Sequence, residues 1–345
     1  MNTPKELSAT KPQTVIALRF LLACAVILHH CYGLQAKPLP LQVFSRGQET
    51  LGVLAVACFF ALSGFLVTQS YLHLHSWKDY LWRRALRIFP GFWAALASVI
   101  FVFAPLAYCL QHHTLAGYFS LSPGPAEYFF ENFFLKMNQH SIGNLLAHNP
   151  YPKIWNGSLW SLALEFCCYL LILGLGAAGL FKNRKFFMIF FISSAAVYLS
   201  WGMRQNLIYF SPSFPRMIWS PVYFLGGSIC YLYRDKIPYT FFTMTAASFL
   251  FILTMAFGFY VQFSVLLIPY LVTGIIRVPF PFLRGIQRDF SYGIYLYAFP
   301  IQQILIAFGW QSKGMPALFL LGLALAFVPA ALNHFLIEVP CQKYK

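Results

Sequence analysis

Apolar stretches of roughly 17 to 23 residues recur along the chain, broken by short polar or basic segments, and each can cross a hydrocarbon core about 30 Å thick as an α-helix. Ten such stretches are read, near 15–33, 50–72, 88–110, 158–180, 186–203, 216–233, 239–257, 260–277, 289–310 and 316–337. The least distinct boundary is the one at Gly258, between the seventh and the eighth. The pattern predicts an all-α, polytopic integral membrane protein, one transmembrane domain over residues 1–345. The polar start, MNTPKELSATKPQT, has no apolar core followed by a small-residue cleavage site, so Val15 onward is expected to be a retained span.

Composition narrows the class. The chain is 59% hydrophobic and 10% charged, with a mean hydropathy of +0.64, against about 25% charged in a typical soluble domain. So much apolar surface cannot be hidden inside a water-soluble globule, which excludes a soluble enzyme and makes the bilayer the solvent for most of the chain. The net charge of +15 comes from 24 Lys and Arg against 9 Asp and Glu. The basic residues sit in small groups between the apolar runs, which argues against nucleic acid and for the positive-inside rule. Threading the chain alternately from a cytoplasmic N-terminus leaves only seven of them outside, Lys37, Arg46, Lys136, Lys153, Arg204, Arg216 and Lys313. Both termini are therefore expected in the cytoplasm. The eight Cys form no CxxC pair and no zinc-like spacing, and no metal is expected.

The longest connection, 111–157, falls outside and carries His112, His113, His140 and His148. A loop of that length is usually functional or disordered. Its His lack metal-ligand spacing and read as surface residues, and its aromatic run AEYFFENFF suggests a lid near an acceptor entrance.

Ionisable residues within spans are costly, about 2.5 to 3.5 kcal/mol each on insertion scales, so each is a candidate for function. In the first span Arg19 and His30 are eleven residues apart, about 20° past three full turns and about 16 Å along the axis, so they share a face. His30 falls in the outer half and His29 points elsewhere. A hydrogen-bonded structural His and a snorkelling anchor are the plainer readings of these two residues. In WRRALRIFPGFW, Arg84 and Arg87 stand at i and i+3 at the mouth of the third span, a fork suited to phosphate oxygens near a helix start, or a pair of topological anchors. Glu165, in NGSLWSLALEFCCYL, is the only carboxylate well inside an unambiguous span, on a stripe with Ser158, Ser161 and Cys168. At about 10 Å from the outer end it is expected to meet His30, or to form a structural ion pair. Ser63 precedes Gly64 in the second span. Ser291, Tyr295 and Gln302 share a face of the ninth, where they read equally as ligands or as helix–helix glue.

These segments together resemble the membrane-bound acyltransferase-3 family, which transfers acyl groups, most often acetyl, to exported sugars. The resemblance rests on Arg19 followed after ten residues by His30, the Gly52 to Gly64 segment ending in LSGF, the RxxR of Arg84 and Arg87, WSLALE with Glu165, and SYGIYLY beginning at Ser291. It runs from Val15 to about Pro340. It implies a catalytic His30 with Arg19 as its motif partner, an acyl-CoA donor, commonly acetyl-CoA, served by Arg84 and Arg87, and a required Glu165. Ala298 stands where many members have a His after the tyrosines, so a role for that His does not transfer. No soluble hydrolase-like domain is expected beside the spans, so the membrane domain is expected to act alone or with a separate partner.

On this reading the phosphates of acyl-CoA lie near Arg19, Arg84 and Arg87 at the cytoplasmic mouth, and the pantetheine arm carries the thioester inward to His30. There His30 acts as base or acyl carrier toward a hydroxyl of an extracytoplasmic carbohydrate, such as lipopolysaccharide O-antigen, with Glu165 orienting the imidazole and Ser63, Ser161, Ser291 and Tyr295 lining the acceptor site. The bacterial inner membrane is the expected location, and a homo-oligomer is compatible. The competing reading is a proton-coupled secondary transporter using His30, Glu165 and Arg19, against which stands the lack of visible inverted repeats.

Overall fold

The computed structural model describes residues 11–74, 76–204 and 214–344, and their side chains except those of 201–204 and 214–218. Of the charges used in the threading, Lys5, Arg204, Arg216 and Lys345 fall outside the described side chains. Every regular element among the described residues is helical. The larger ones are α1 (Pro12–Gly33), α2 (Leu51–His73), α3 (Trp77–Ser98), α4 (Ala104–His112), α5 (Pro125–Asn132), α6 (Trp160–Ala177), α7 (Arg184–Arg204), α8 (Phe214–Leu232), α9 (Phe241–Phe257), α10 (Tyr260–Ile275), α11 (Ser291–Ala307), α12 (Met315–Asn333) and α13 (Val339–Gln342).

Each of the ten apolar stretches is thus helical. Among the described residues, five helical segments are long and apolar enough to cross a membrane: Pro12–Gly33, Leu51–His73, Trp77–His112, Trp160–Ala177 and Met315–Gln342. Helices α9 and α10 are apolar but shorter. Two of the five are composites. A π turn at Val99–Phe103 joins α3 to α4, and another at His334–Glu338 joins α12 to α13. The third span begins eleven residues before its expected start, because nothing interrupts the helix after Ser76, whose Oγ accepts from the amide of Asp79. Large apolar side chains stay exposed along α9 and α12, among them Phe249, Ile252, Leu320 and Val328. Surface of that kind is suited to lipid.

The contacts fall into two compact units interleaved along the chain. One gathers the chain up to Leu22, Pro40–Leu81 and Cys167–Arg288, and the other gathers Ala23–Leu39, Trp82–Phe166 and Asp289–Lys345, so that α1, α3 and α6 contribute to both. In the first unit α2 packs most closely on α8, with α10 against both. The backbones touch there: a Cβ on Gly64 would lie 1.8 Å from the carbonyl oxygen of Phe224, and one on Gly227 would lie 1.9 Å from that of Ala61. Without an intervening side chain, Ser228 Oγ reaches Gly64 O at 3.3 Å. Close approach through small residues is the usual means of holding membrane helices together. At the head of α2, Glu49 is buried, and its Oε1 accepts from the amide of Thr50 at 2.8 Å.

In the second unit α11 is the core. Almost every residue from Ser291 to Ile306 is buried, and α12 lies alongside it. A helix apolar on all sides belongs in such a position. The long connection is ordered against α11. Gln303 donates to the carbonyls of Tyr151 and Ile154 at 2.9 and 2.8 Å, and Asn149 and Asn156 donate back to α11. These side chains satisfy backbone groups of an irregular segment whose Trp155, Asn156 and Ser158 are buried. Farther out, Trp93 stacks on Phe133 at 4.7 Å and donates to its carbonyl, while Phe130 and Phe134 stay exposed.

Candidate active site

His30 is positioned from α11. Ile27, His30 and Cys31 stand at i, i+3 and i+4 of α1 and so share a face. Gln302 Nε2 donates to Ile27 O at 3.1 Å and to Cys31 Sγ at 2.9 Å, which fixes that face from both sides of His30. The imidazole meets the ring of Phe299 edge-on at 4.9 Å. Phe299 in turn occupies space that only a glycine leaves, since a Cβ on Gly157 would come within 2.7 Å of the ring. The His30 ring is half-buried, and its Nδ1 is enclosed without a hydrogen-bond partner among the described residues. His29 is the other nearby imidazole, 5.8 Å away between centroids. A half-buried imidazole with an unused nitrogen can take or give a proton when a substrate supplies the partner.

The second cluster lies near the start of α11. Arg87 Nη1 pairs with Glu338 Oε2 at 3.3 Å, and the guanidinium carbon lies 5.2 Å from the centroid of the Tyr292 ring. Glu338 is buried, and its other oxygen accepts from Asn333 Nδ2 at 2.8 Å; Tyr297 donates to Asn333 Oδ1 at 3.3 Å. Tyr292 donates to Ile88 O at 2.7 Å, and Glu165 lies within electrostatic range of it. Glu338 ends the π turn, and π turns in membrane and soluble helices often mark functional sites.

Two expectations change here. Glu165, expected as the only carboxylate well inside an unambiguous span, is half-buried, whereas Glu338, one residue past the expected end of the last span, and Glu49, one residue before the expected start of the second, are buried. Arg84 and Arg87 are not at a helix start, because α3 begins at Trp77, and a helix dipole fades within the first turn. Glu165 lies within electrostatic range of Tyr292, and His30 meets Phe299, seven residues farther along α11.

The remaining candidates are distributed as follows. Arg19 and Ser63 belong to the first unit, where Ser63 is buried beside the Gly64 crossing. Arg84 is half-buried one turn before Arg87. Tyr295 holds α11 to the start of α6, with its hydroxyl 2.7 Å from Ser161 Oγ and donating to Ser158 O at 2.7 Å. Ser291 opens α11 with its hydroxyl and amide both on Asp289 Oδ1. The Tyr295 hydroxyl thus joins two segments, whereas the Ser291 hydroxyl makes a local bond at the head of α11. Phe299, Asn333 and Glu338 carry the geometry without having drawn notice as a sequence, since none belongs to a polar stripe inside an expected span.

A helical membrane protein with a half-buried histidine and an internally braced arginine is the class that fold and site define. The chain belongs to the acyltransferase family whose domain model matches residues 14–332, described as an acyltransferase domain. It is an acyltransferase, and the transporter reading is set aside. It is 29% identical over 301 residues to a protein of Shigella phage Sf6 named O-acetyl transferase, with 84% of each chain covered. It is 26% identical over 357 aligned positions to Nodulation protein 10 of Rhizobium leguminosarum bv. viciae, covering 95% of this chain and 92% of that one. No solved structure matches.

Proposed function

We propose that the protein transfers an acyl group, acetyl by preference, from cytoplasmic acyl-CoA to a hydroxyl of an extracytoplasmic carbohydrate such as lipopolysaccharide O-antigen or another surface polysaccharide. The observation that carries this reading is His30, held by Gln302 and Phe299 with Nδ1 unpartnered among the described residues, in a chain of the acyltransferase family. The name of the phage relative, O-acetyl transferase, supports oxygen as the acceptor atom. The chain is taken to cross the bacterial inner membrane ten times with both termini inside, a topology that the positive-inside count supports.

In this mechanism His30 accepts the proton of the sugar hydroxyl as its oxygen attacks the thioester carbonyl. The tetrahedral adduct then expels the CoA thiolate, which takes the proton back from the imidazolium, so the products are the ester and free CoA. Arg19, Arg84 and Arg87 serve the anionic donor, with Glu338 holding Arg87 in one orientation. Glu165, within electrostatic range of Tyr292, supports the Arg87 cluster.

The test is His30→Ala protein in vesicles given labelled acetyl-CoA. Transfer to the glycan is expected to fall by about a hundredfold or more with helix content and insertion unchanged. Wild-type rates from folded His30→Ala protein overturn the assignment.

A further inference from the structure

An aromatic side chain of the second unit reaches solvent within one ring of the His30 imidazole. Tyr151 is 42% exposed, and its ring meets Phe299 edge-on at 6.4 Å, the same buried ring that His30 meets at 4.9 Å. The turn that carries it is held from several sides. In the run Asn149-Pro150-Tyr151-Pro152-Lys153 a proline stands on each side of the tyrosine, and each fixes its own φ at about −65°. Gln303 Nε2 donates to Tyr151 O at 2.9 Å, and Asn149 Nδ2 donates back to Gln303 Oε1 at 2.7 Å. The Lys153 amide closes the turn on Leu146 O at 3.3 Å, with the Lys153 backbone in the left-handed region at φ 58°. A residue with a Cβ keeps that conformation only where its surroundings impose it. Gln302, next to Gln303 on α11, bonds α1 on both sides of His30. Adjacent residues of one helix thus set the imidazole and the tyrosine.

A large ring already held in place loses little further freedom when a ligand stacks on it. A flat apolar face with a hydroxyl at its rim suits a sugar, whose C–H groups lie on the ring faces and whose hydroxyls lie at the edge. Enclosed polar atoms of this unit point the same way. His30 Nδ1 and the Nε1 of Trp155, four residues after Tyr151, have no hydrogen-bond partner among the described residues. Hydroxyls of a sugar can supply such partners, and a lipid chain cannot. Three of the hydroxyls expected to line the acceptor site are committed within the protein: Tyr295 and Ser161 to each other, and Ser291 to Asp289. An interfacial anchor would need neither the proline-flanked turn nor the contact with Phe299.

We propose that Tyr151 is the face on which the acceptor sugar stacks. The assignment rests on the carbohydrate reading above and adds the residue that seats the sugar beside His30. The test uses the purified full chain in nanodiscs, which leave both faces open, with labelled acetyl-CoA and surface polysaccharide extracted from host cells lacking the protein. Tyr151→Ala is expected to raise the KM for polysaccharide about tenfold, with the KM for acetyl-CoA and the unfolding temperature unchanged. Tyr151→Trp restores a broad face and is expected to stay within about twofold of the wild type. A wild-type polysaccharide KM in Tyr151→Ala, whatever its unfolding temperature, overturns the stacking assignment and leaves the carbohydrate reading standing. So does a Tyr151→Trp protein as impaired as Tyr151→Ala. Equal rises in both KM values make Tyr151 a support for His30 and also overturn the assignment. Wild-type protein that hydrolyses acetyl-CoA but transfers nothing to the polysaccharide removes the carbohydrate reading and the stacking assignment together.

Discussion

Arg87 and Glu338 are 251 positions apart in the chain and 3.3 Å apart in space, and what happens when the pair is broken is decided by burial. Glu338 is enclosed, whereas Arg87 keeps about a fifth of its side chain exposed and has Tyr292 under its guanidinium. Glu338→Ala leaves a half-buried cation with one partner fewer and removes the acceptor of Asn333. A loss of about 1 to 3 kcal/mol is expected, read as a lower unfolding temperature in detergent, with Glu338→Gln costing less because its amide oxygen can still accept from Asn333. Glu49 behaves differently. Burial pushes its carboxyl up to about 8, although the Tyr260 hydroxyl and the Thr50 amide favour the charged form. The folded protein therefore holds this proton more tightly than the unfolded chain does. The stabilisation is complete below the ordinary value of 4.5 and is lost as pH rises through 8. Thermal unfolding should show stability falling between pH 5 and 8 by about 1.4 kcal/mol per pH unit at most, and Glu49→Gln should flatten that slope. An unchanged slope in the variant would assign it to other groups.

At the scale of elements, the crossing of α2 and α8 depends on two glycines facing the partner backbone. Gly64→Ala puts a methyl carbon 1.8 Å from a carbonyl oxygen that belongs to a helix and cannot swing away, so the helices must separate. A cost of about 1 to 3 kcal/mol is expected, comparable to overpacking a core, with reduced yield of folded protein in the membrane. Gly174→Ala, with open space around it, should be neutral in the same assay. The LSGF segment illustrates how far sequence reading goes. Its polar residue, Ser63, attracted attention, yet the residue with the visible physical task is the glycine beside it, which has no chemistry and matters only because another backbone is close. The same holds at Gly157, which makes room for Phe299, and at Gln302, which shares a helical face with Tyr295 but is put to use by carbonyl and sulfur atoms of α1.

For the whole molecule, the basic residues favour one threading, and reporter fusions can check it. Alkaline phosphatase joined after Lys182 is expected to be inactive and joined after His148 to be active, because the first site is taken as cytoplasmic and the second as external. Activity after Lys182 would reverse the orientation of the middle of the chain. The segment before α6 is tied to α11 by Gln303, Asn149 and Asn156, so the length that marked it as functional or disordered belongs to a packed piece of the second unit.

That each of the ten apolar stretches is helical was legible in the amino-acid sequence, though not where the third begins, because a long apolar run is a local property and in lipid the helix is the way for it to satisfy its own backbone. His30, Arg84, Arg87 and Glu165 stood out for a related reason: a charge or an imidazole in such a run is conspicuous beside its neighbours. What each of them faces was decided only by tertiary structure. Partners such as Glu338 and Phe299 lie far along the chain in segments of ordinary composition, and it is the packing of the helices that sets His30 on Phe299, Arg87 on Glu338, and Glu165 within electrostatic range of Tyr292.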